Sequence, residues 1–265
     1  MKTITERATG AMLLALALVT LLGAGQHRAR AQEMSFDEAV ELVQSSDADS
    51  VQLGLETLGA RGEARAVAPI AERIRSGLPS ELTQFAVTTL GMIGRPEAGP
   101  VLIELLSHRQ AEVRLAAVEA IAATEARGGG AALVRALDDM DGRVRSAAAL
   151  GLGQLGHRPA VDTLFTALDR NVLEAAAAIG QLATPEHLDR LTANLGRVPF
   201  DVLTPAFNEL FARRDFAERA KLELVGRLAE LATPQVKTYL TDLADQLPNG
   251  RVKAAATDAA ERIPG

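Results

Sequence analysis

The sequence contains no cysteine and no tryptophan, one tyrosine (Tyr239), and only 3% aromatic residues. Without cysteine there can be no disulfide, thiolate metal site, cysteine nucleophile or lipid-modified N-terminal cysteine. Export is not excluded by this, because a helical array can be held by packing alone. The shortage of aromatics removes the residues that β-sandwiches and barrels rely on. Catalytic signatures are also missing. There is no G-x-S-x-G, and no serine stands where a histidine could activate it. The glycine run Arg127-Gly128-Gly129-Gly130 lacks the Lys and Ser/Thr of a phosphate-binding loop. What the chain does have is 48% hydrophobic residues, mostly Ala, Leu, Val and Ile. Ala and Leu are strong helix formers, and an all-α fold follows.

The first 31 residues read as a secretory signal peptide. Lys2 and Arg7 precede an uncharged apolar run at 11–22, and Ala29-Arg30-Ala31 supplies a small-x-small cleavage site. The run of 12 residues is shorter than the roughly 20 that span a bilayer. That length favours cleavage over the rival reading, a retained N-terminal anchor, and leaves no stable membrane span afterwards. Cleavage after Ala31 removes Lys2, Arg7, Arg28, Arg30 and Glu6. The remainder has 24 basic and 33 acidic residues, so its net charge moves from −6 to −9. An acidic surface does not attract phosphate backbones, which argues against a nucleic-acid partner. The expected location is periplasmic or secreted.

The rest of the chain repeats. Leu58-Gly59, Leu90-Gly91, Ile121-Ala122, Leu152-Gly153 and Ile179-Gly180 are spaced by 32, 31, 31 and 27 residues. Four residues after each leading aliphatic comes a turn position, occupied by Gly62, Gly94, Glu125, Gly156 and Ala183. Eight beyond the turn stand Ile70, Leu102, Leu133, Leu164 and Leu191; twelve beyond it stand Ile74, Leu106, Leu137, Leu168 and Leu195. The four-residue step puts both columns on one helix face. Upstream, Leu82, Val113 and Val144, with Ala86, Ala117 and Ala148, mark a second amphipathic helix in each unit. A period near 31 thus resolves into helical hairpins that cannot bury their own apolar stripe and must stack. Ser80, Asp141, Thr184 and Thr233 sit where helix N-caps belong, the last two ahead of a proline.

The runs EVRLAAVEAI (112–121) and GRVRSAAALGLGQLG (142–156) resemble HEAT repeats of the short bacterial kind found in phycobilisome-lyase-type proteins. The resemblance covers 47–198 clearly and 215–265 loosely. It implies an α-solenoid of about five clear repeats plus degenerate C-terminal helices. It is nearly silent on function, since the family includes scaffolds, adaptors and a few chromophore lyase subunits. Arg114 and Arg145, echoed by Lys253, resemble the family's ladder residue, which implies bonding between repeats.

The expected organisation is a signal peptide over 1–31, an N-terminal capping helix over 32–46, repeats over 47–198, and degenerate repeats with a C-terminal cap over 199–265. Ser35-Phe36-Asp37-Glu38 reads as a capping box, and Asp215-Phe216-Ala217-Glu218 as a second one. Phe200, Phe207, Phe211 and Phe216 crowd the irregular stretch 199–216. They read as core in a widened gap, the alternative being a docking patch.

Candidate chemistry is sparse. His157 and His187 fall in successive turns on one edge and His108 on the other; repeats about 8–10 Å apart do not let adjacent turn histidines share a zinc. Asp138, Asp139 and Asp141 lack the spacing of an EF-hand loop, and helix capping accounts for them. No metal, cofactor or catalytic residue is expected. The surface best placed to work is the inner, concave face of the second helices, where Glu72, Glu104, Arg135 and Thr166 stand ten residues past the turn, followed by Ala193. The expectation is a non-enzymatic scaffold or adaptor of the bacterial envelope that binds a protein there. The rivals are a ligand carrier or chromophore-lyase-like subunit, which the resemblance implies, and a structural subunit of an envelope complex.

Overall fold

The computed structural model describes residues 34–264; the signal segment and its cleavage residues Ala29 and Ala31 lie outside the described residues. Fifteen helices and no strand are present among the described residues. They fall into two units, divided after Arg127. The first holds α1 (Phe36–Val43), α2 (Ala48–Arg61), α3 (Val67–Ser76), α4 (Ser80–Ile93), α5 (Gly99–Leu105) and α6 (Ala111–Thr124). The second holds α7 (Gly129–Ala136), α8 (Gly142–Gln154), α9 (Val161–Asp169), α10 (Ala175–Leu182), α11 (Leu188–Thr192), α12 (Phe200–Ala212), α13 (Glu218–Ala229), α14 (Pro234–Gln246) and α15 (Arg251–Arg262).

The repeat columns become the core of each unit. The leading aliphatics Leu58, Leu90, Ile121, Leu152 and Ile179 are all fully buried, as are Ile70, Leu102, Leu133 and Leu164. Burying each such side chain contributes about 1.5–3 kcal/mol. First helices stack on first helices: α2 on α4 and α4 on α6 in one unit, α8 on α10 and α10 on α12 in the other. The glycine after the leading aliphatic allows this. A Cβ on Gly180 would lie 2.5 Å from the Ala206 carbonyl oxygen and 2.6 Å from its Cα, so α10 meets α12 backbone to backbone.

The turn column is a left-handed helix cap. Gly62, Gly94, Glu125 and Gly156 all have positive φ, between 48° and 64°, which satisfies the last carbonyls of the first helix. Ala183 departs from the pattern, with φ −59° and ψ 147°. There the Arg213 guanidinium donates to the Gly180 and Ala183 carbonyls at 3.0 and 2.6 Å, so a side chain from α12's C-terminal end replaces the turn. Four second helices open with a 3₁₀ turn (Ala64–Ala66, Pro96–Ala98, Arg158–Ala160, Pro185–His187), three of them carrying a proline whose missing N–H costs nothing there.

Several end signals hold. Ser35 and Glu38 form the reciprocal capping box. Asp141 accepts from the Arg143 N–H at 2.8 Å and Thr233 from the Val236 N–H at 3.3 Å. Thr184 caps its 3₁₀ turn with His187 as the reciprocal partner. Two signals do not hold. Ser80 is the first helical residue of α4, with Pro79 at the cap position, and Thr83 bonds back to the Leu78 and Pro79 carbonyls instead. Asp215 does not cap α13, whose cap position is Ala217 with no side-chain bond; its carboxylate is held by Arg213 and Arg158. A strong cation pair outcompeted a neutral backbone donor.

Candidate functional site

A residue two steps from each of two core positions four apart points away from the core, because 100° per residue carries it to the far side of the helix. Glu72, Glu104, Arg135, Thr166 and Ala193 are accordingly all exposed. In the first unit Glu104 pairs with Arg75 at 3.2 Å. In the second unit Arg135 bonds only its own helix, at the Ala131 carbonyl 3.2 Å away.

In the second unit the exposed face of the second helices carries a series of cross-repeat ion pairs that keep no fixed column in the sequence. Arg170 on α9 meets Asp138 after α7 at 2.7 Å, and Arg190 on α11 meets Asp162 on α9 at 2.8 Å. Arg227 on α13 meets Asp189 on α11 at 2.5 Å, and Arg251 on α15 meets Glu218 on α13 at 3.4 Å. Their signal in the sequence is an acid followed 28 to 38 residues later by an arginine, a spacing that tracks the repeat only loosely. All but the half-buried Arg227 are exposed, and each pair contributes no more than about 1 kcal/mol.

Grooves lie between neighbouring second helices in both units; the second unit has one between α7 and α9 and another, about 500 Å³, between α13 and α15, lined by Leu222, Val225, Ala229 and Ala259 with Glu230 and Asp258. The first unit's groove, between α3 and α5, has a volume of about 420 Å³ and is lined by Ala64, Val67, Ala68, Ala71, Pro100 and Val101, with Glu72, Glu97 and Arg75 on its rim. The groove between α7 and α9 is smaller, about 240 Å³, and its walls include Asp138, Asp162 and Arg170. Glu72 and Thr166 of the anticipated row thus line grooves, while Glu104 adjoins one through Arg75.

The remaining candidates are structural. Phe207, Phe211 and Phe216 are buried, and Phe200, Phe207 and Tyr239 form a ring cluster with centroids 5.5–6.3 Å apart. Burial pushes the Tyr239 hydroxyl's pKa up. It donates to the Asn208 side chain at 3.1 Å. His187 is taken up by its cap, where Nδ1 accepts the Thr184 N–H at 3.1 Å, and its ring stacks on Phe165. Thr184 also bonds Glu186. His157 lies over Gly130, a position that a side chain there would occupy, so the glycine run serves helix packing. His108 accepts the Gln110 N–H at its own turn.

The acidic turn is likewise committed. Bonding from the Arg143 side chain, then from its backbone, lowers Asp141 to about 2, and Asp139 accepts the Asp141 N–H at 2.8 Å. Arg114 and Arg145 donate to carbonyls of the turn before their own helix, His108 and Asp139, at 2.9 and 2.8 Å. Lys253 reaches the Leu247 carbonyl at 3.5 Å in the same way. No group of three or more His, Asp or Glu suited to a metal ion occurs among the described residues. No helix there is long and apolar enough to cross a membrane.

Residues 130–210 match the family described as HEAT repeats, and residues 85–108 match the PBS lyase HEAT-like repeat. No protein of curated function matches the chain. Among solved structures, an engineered protein is 18% identical with a TM-score of 0.52, covering 89% of this chain and 70% of its own. Importin beta is 17% identical with a TM-score of 0.51; the match covers 92% of this chain and 40% of importin beta. A chain from the complex of CpcE and CpcF of phycocyanin lyase from Nostoc sp. PCC7120 is 20% identical with a TM-score of 0.49, covering 88% of this chain and 96% of that one. At these identities the likeness concerns the fold. With its buried repeat columns, left-handed turn column and stacked hairpins, the chain is a helical-repeat protein that carries HEAT-like repeats at the matched residues.

Proposed function

We propose that this protein is a non-enzymatic interaction scaffold of the bacterial cell envelope that binds another protein on the exposed face of its second helices. The observation that carries the reading is that face itself. Successive second helices present exposed side chains at a fixed offset, over grooves whose floors are apolar. Rigid presentation from stacked repeats gives affinity through many modest contacts. His187, Asp141 and Thr184, polar groups of the kind that carry chemistry elsewhere, are engaged in caps and turns. The envelope location rests on the signal-like first 31 residues.

A second reading, a ligand carrier or chromophore-lyase-like subunit, is favoured only by the match of residues 85–108 to a repeat named for the PBS lyases. Fold analogy of this kind is weak support for function. A third, a permanent structural subunit of an envelope complex, differs from the first in the lifetime of the contact.

In-cell crosslinking of the tagged full chain, followed by affinity capture and mass spectrometry, tests the proposal. One dominant envelope protein is expected, with crosslinks near Glu72, Glu104, Arg135 and Thr166. Capture of the bare chain alone would sink it, and an added mass in a native mass spectrum would then favour the carrier.

A further inference from the structure

The grooves differ in charge. In the first unit's groove, Glu72 projects from α3 and Glu97 from the turn that opens α5, so carboxylates stand on both walls. Neither has an ion-pair or hydrogen-bond partner among the described residues. Arg75 is spoken for by Glu104. The groove therefore presents two uncompensated negative charges around an apolar floor of Val67, Ala71 and Val101, which are buried, with Ala64, Ala68 and Pro100 exposed above it. Its volume of about 420 Å³ lies in the range of about 300–1,000 Å³ typical of ligand pockets.

We infer that this groove docks an extended, lysine- or arginine-bearing segment of a partner protein, with small aliphatic side chains on the floor and cations against Glu72 and Glu97. The inference rests on the scaffold reading and supplies its partner chemistry. An extended strand alternates its side chains at about 3.3 Å per residue. Aliphatics at every second position then enter the groove, and the long stems of the cations between them fold back along its edge to the rim carboxylates. The wall carboxylates steer a cationic segment and disfavour an acidic one. The groove between α7 and α9 does not offer this, because Asp138 and Asp162 are already neutralised by Arg170 and Arg190, and in the groove between α13 and α15 Asp258 is paired with Arg262, which leaves Glu230 as a single carboxylate.

Fluorescence polarisation of the full chain with a labelled KVKAKVKAK peptide tests the groove, against the charge-reversed EVEAEVEAE and the uncharged SVSASVSAS. The basic peptide is expected to bind, the acidic one at least about tenfold more weakly, with the affinity falling as salt shortens the screening length. The E72Q/E97Q double variant should bind about three- to tenfold more weakly. Ala68→Trp, which fills the groove from an exposed position, should abolish binding, while Asp162→Asn should leave it unchanged. Equal binding of the charge-reversed peptide, or wild-type binding by E72Q/E97Q, overturns the inference. That double variant changes only exposed side chains, so it decides the matter even if Ala68→Trp folds poorly. Crosslinking separates the two claims. A partner captured equally by wild type and E72Q/E97Q removes the groove and keeps the scaffold. Capture of no partner by wild type, with peptide binding intact, removes the scaffold and keeps the groove's chemistry.

Discussion

Six residues past the turn position, the two units carry different chemistry in one backbone slot. In the first unit the slot holds Ala68 and Pro100; in the second it begins with Ala131 and continues with Asp162 and Asp189. Where the slot is small and apolar, neighbouring second helices leave an open groove whose rim carboxylates stay unpaired. Where it holds aspartate, an arginine from the next second helix reaches across, and the face becomes a chain of neutralised pairs. A paired surface must lose those contacts before it can bind a charged partner, whereas an unpaired one gains on binding. The same fold thus yields an open groove between α3 and α5 and a series of satisfied pairs from α7 to α11. The difference lies in one column of the repeat.

The seams between first helices differ between the units as well, and here the expected effects are largest. Gly180 meets the Ala206 backbone, so Gly180→Ala must push α10 and α12 apart. We expect it to cost about 2–3 kcal/mol in urea unfolding. Gly91 in the first unit faces the Ala120 methyl at 3.1 Å and its Cα at 3.2 Å. Gly91→Ala should fall within about 1 kcal/mol of neutral, since the helix gains roughly 0.5–1 kcal/mol on losing a glycine. Equal losses at the two sites would show that the second unit's seam is no tighter than the first.

Next in size is the substitute turn of the second unit. The Arg213 side chain is only 14% exposed and is bonded to two carbonyls and Asp215, so Arg213→Ala should cost about 2 kcal/mol. In the first unit the turns depend on backbone conformation and not on a long-range side chain, so Gly62→Ala should cost about 1 kcal/mol through strain at its φ of 60°. The partner of Arg213 adds a pH signature. Bonding to Arg213 lowers Asp215 to about 2, from an ordinary 3.8. A depressed carboxylate contributes stability that is fully present above its unfolded pKa and is lost as pH falls through the folded one. That contribution should therefore disappear between about pH 4 and pH 2, and Asp215→Asn should flatten the acid limb of the stability curve across that window.

How much of this was legible depended on whether a residue obeyed the period. Ile70, Leu102, Leu133 and Leu164 could be placed in the core from offset alone, because burial repeats with the hairpin. Gly62, Gly94 and Gly156 announced turns, and the structure adds that the slot is a left-handed cap. Cap residues were harder. Ser80 had the right side chain in the right place, yet proline at 79 took the cap, since its ring-fixed φ of −52° with ψ at 150° starts α4 without a side-chain bond. Asp215 matched a capping box, but Arg158, 57 residues away in the chain, claimed it with Arg213. The cross-repeat pairs escaped because arginine reaches its partner from different offsets, 28, 32 and 38 residues on. A long flexible side chain blurs a period that short core residues keep sharp.

Glu125 offers a gain rather than a loss. It holds the turn slot at φ 48°, where the first unit's other two turns use glycine. Glu125→Gly relieves an L-residue in the left-handed region and should raise stability by about 0.5–1 kcal/mol, net of the added chain entropy.

The smallest effect bears most directly on the column that separates the units. Asp162→Ala gives the second unit the first unit's slot and frees Arg190. Both side chains are exposed, at 84% and 44%, so the loss should stay below about 0.5 kcal/mol and shrink further as salt is raised. Thermal unfolding of the variant at low and high ionic strength measures it. A small loss means the aspartate column neutralises a surface and does little to hold the stack, which is what the contrast with Ala68 and Pro100 requires. A loss of 2 kcal/mol or more, about the scale of removing one partner of a buried pair, would mean the pairs fasten the second unit together. The open groove of the first unit would then reflect a weaker stack, and not a surface kept free for a partner.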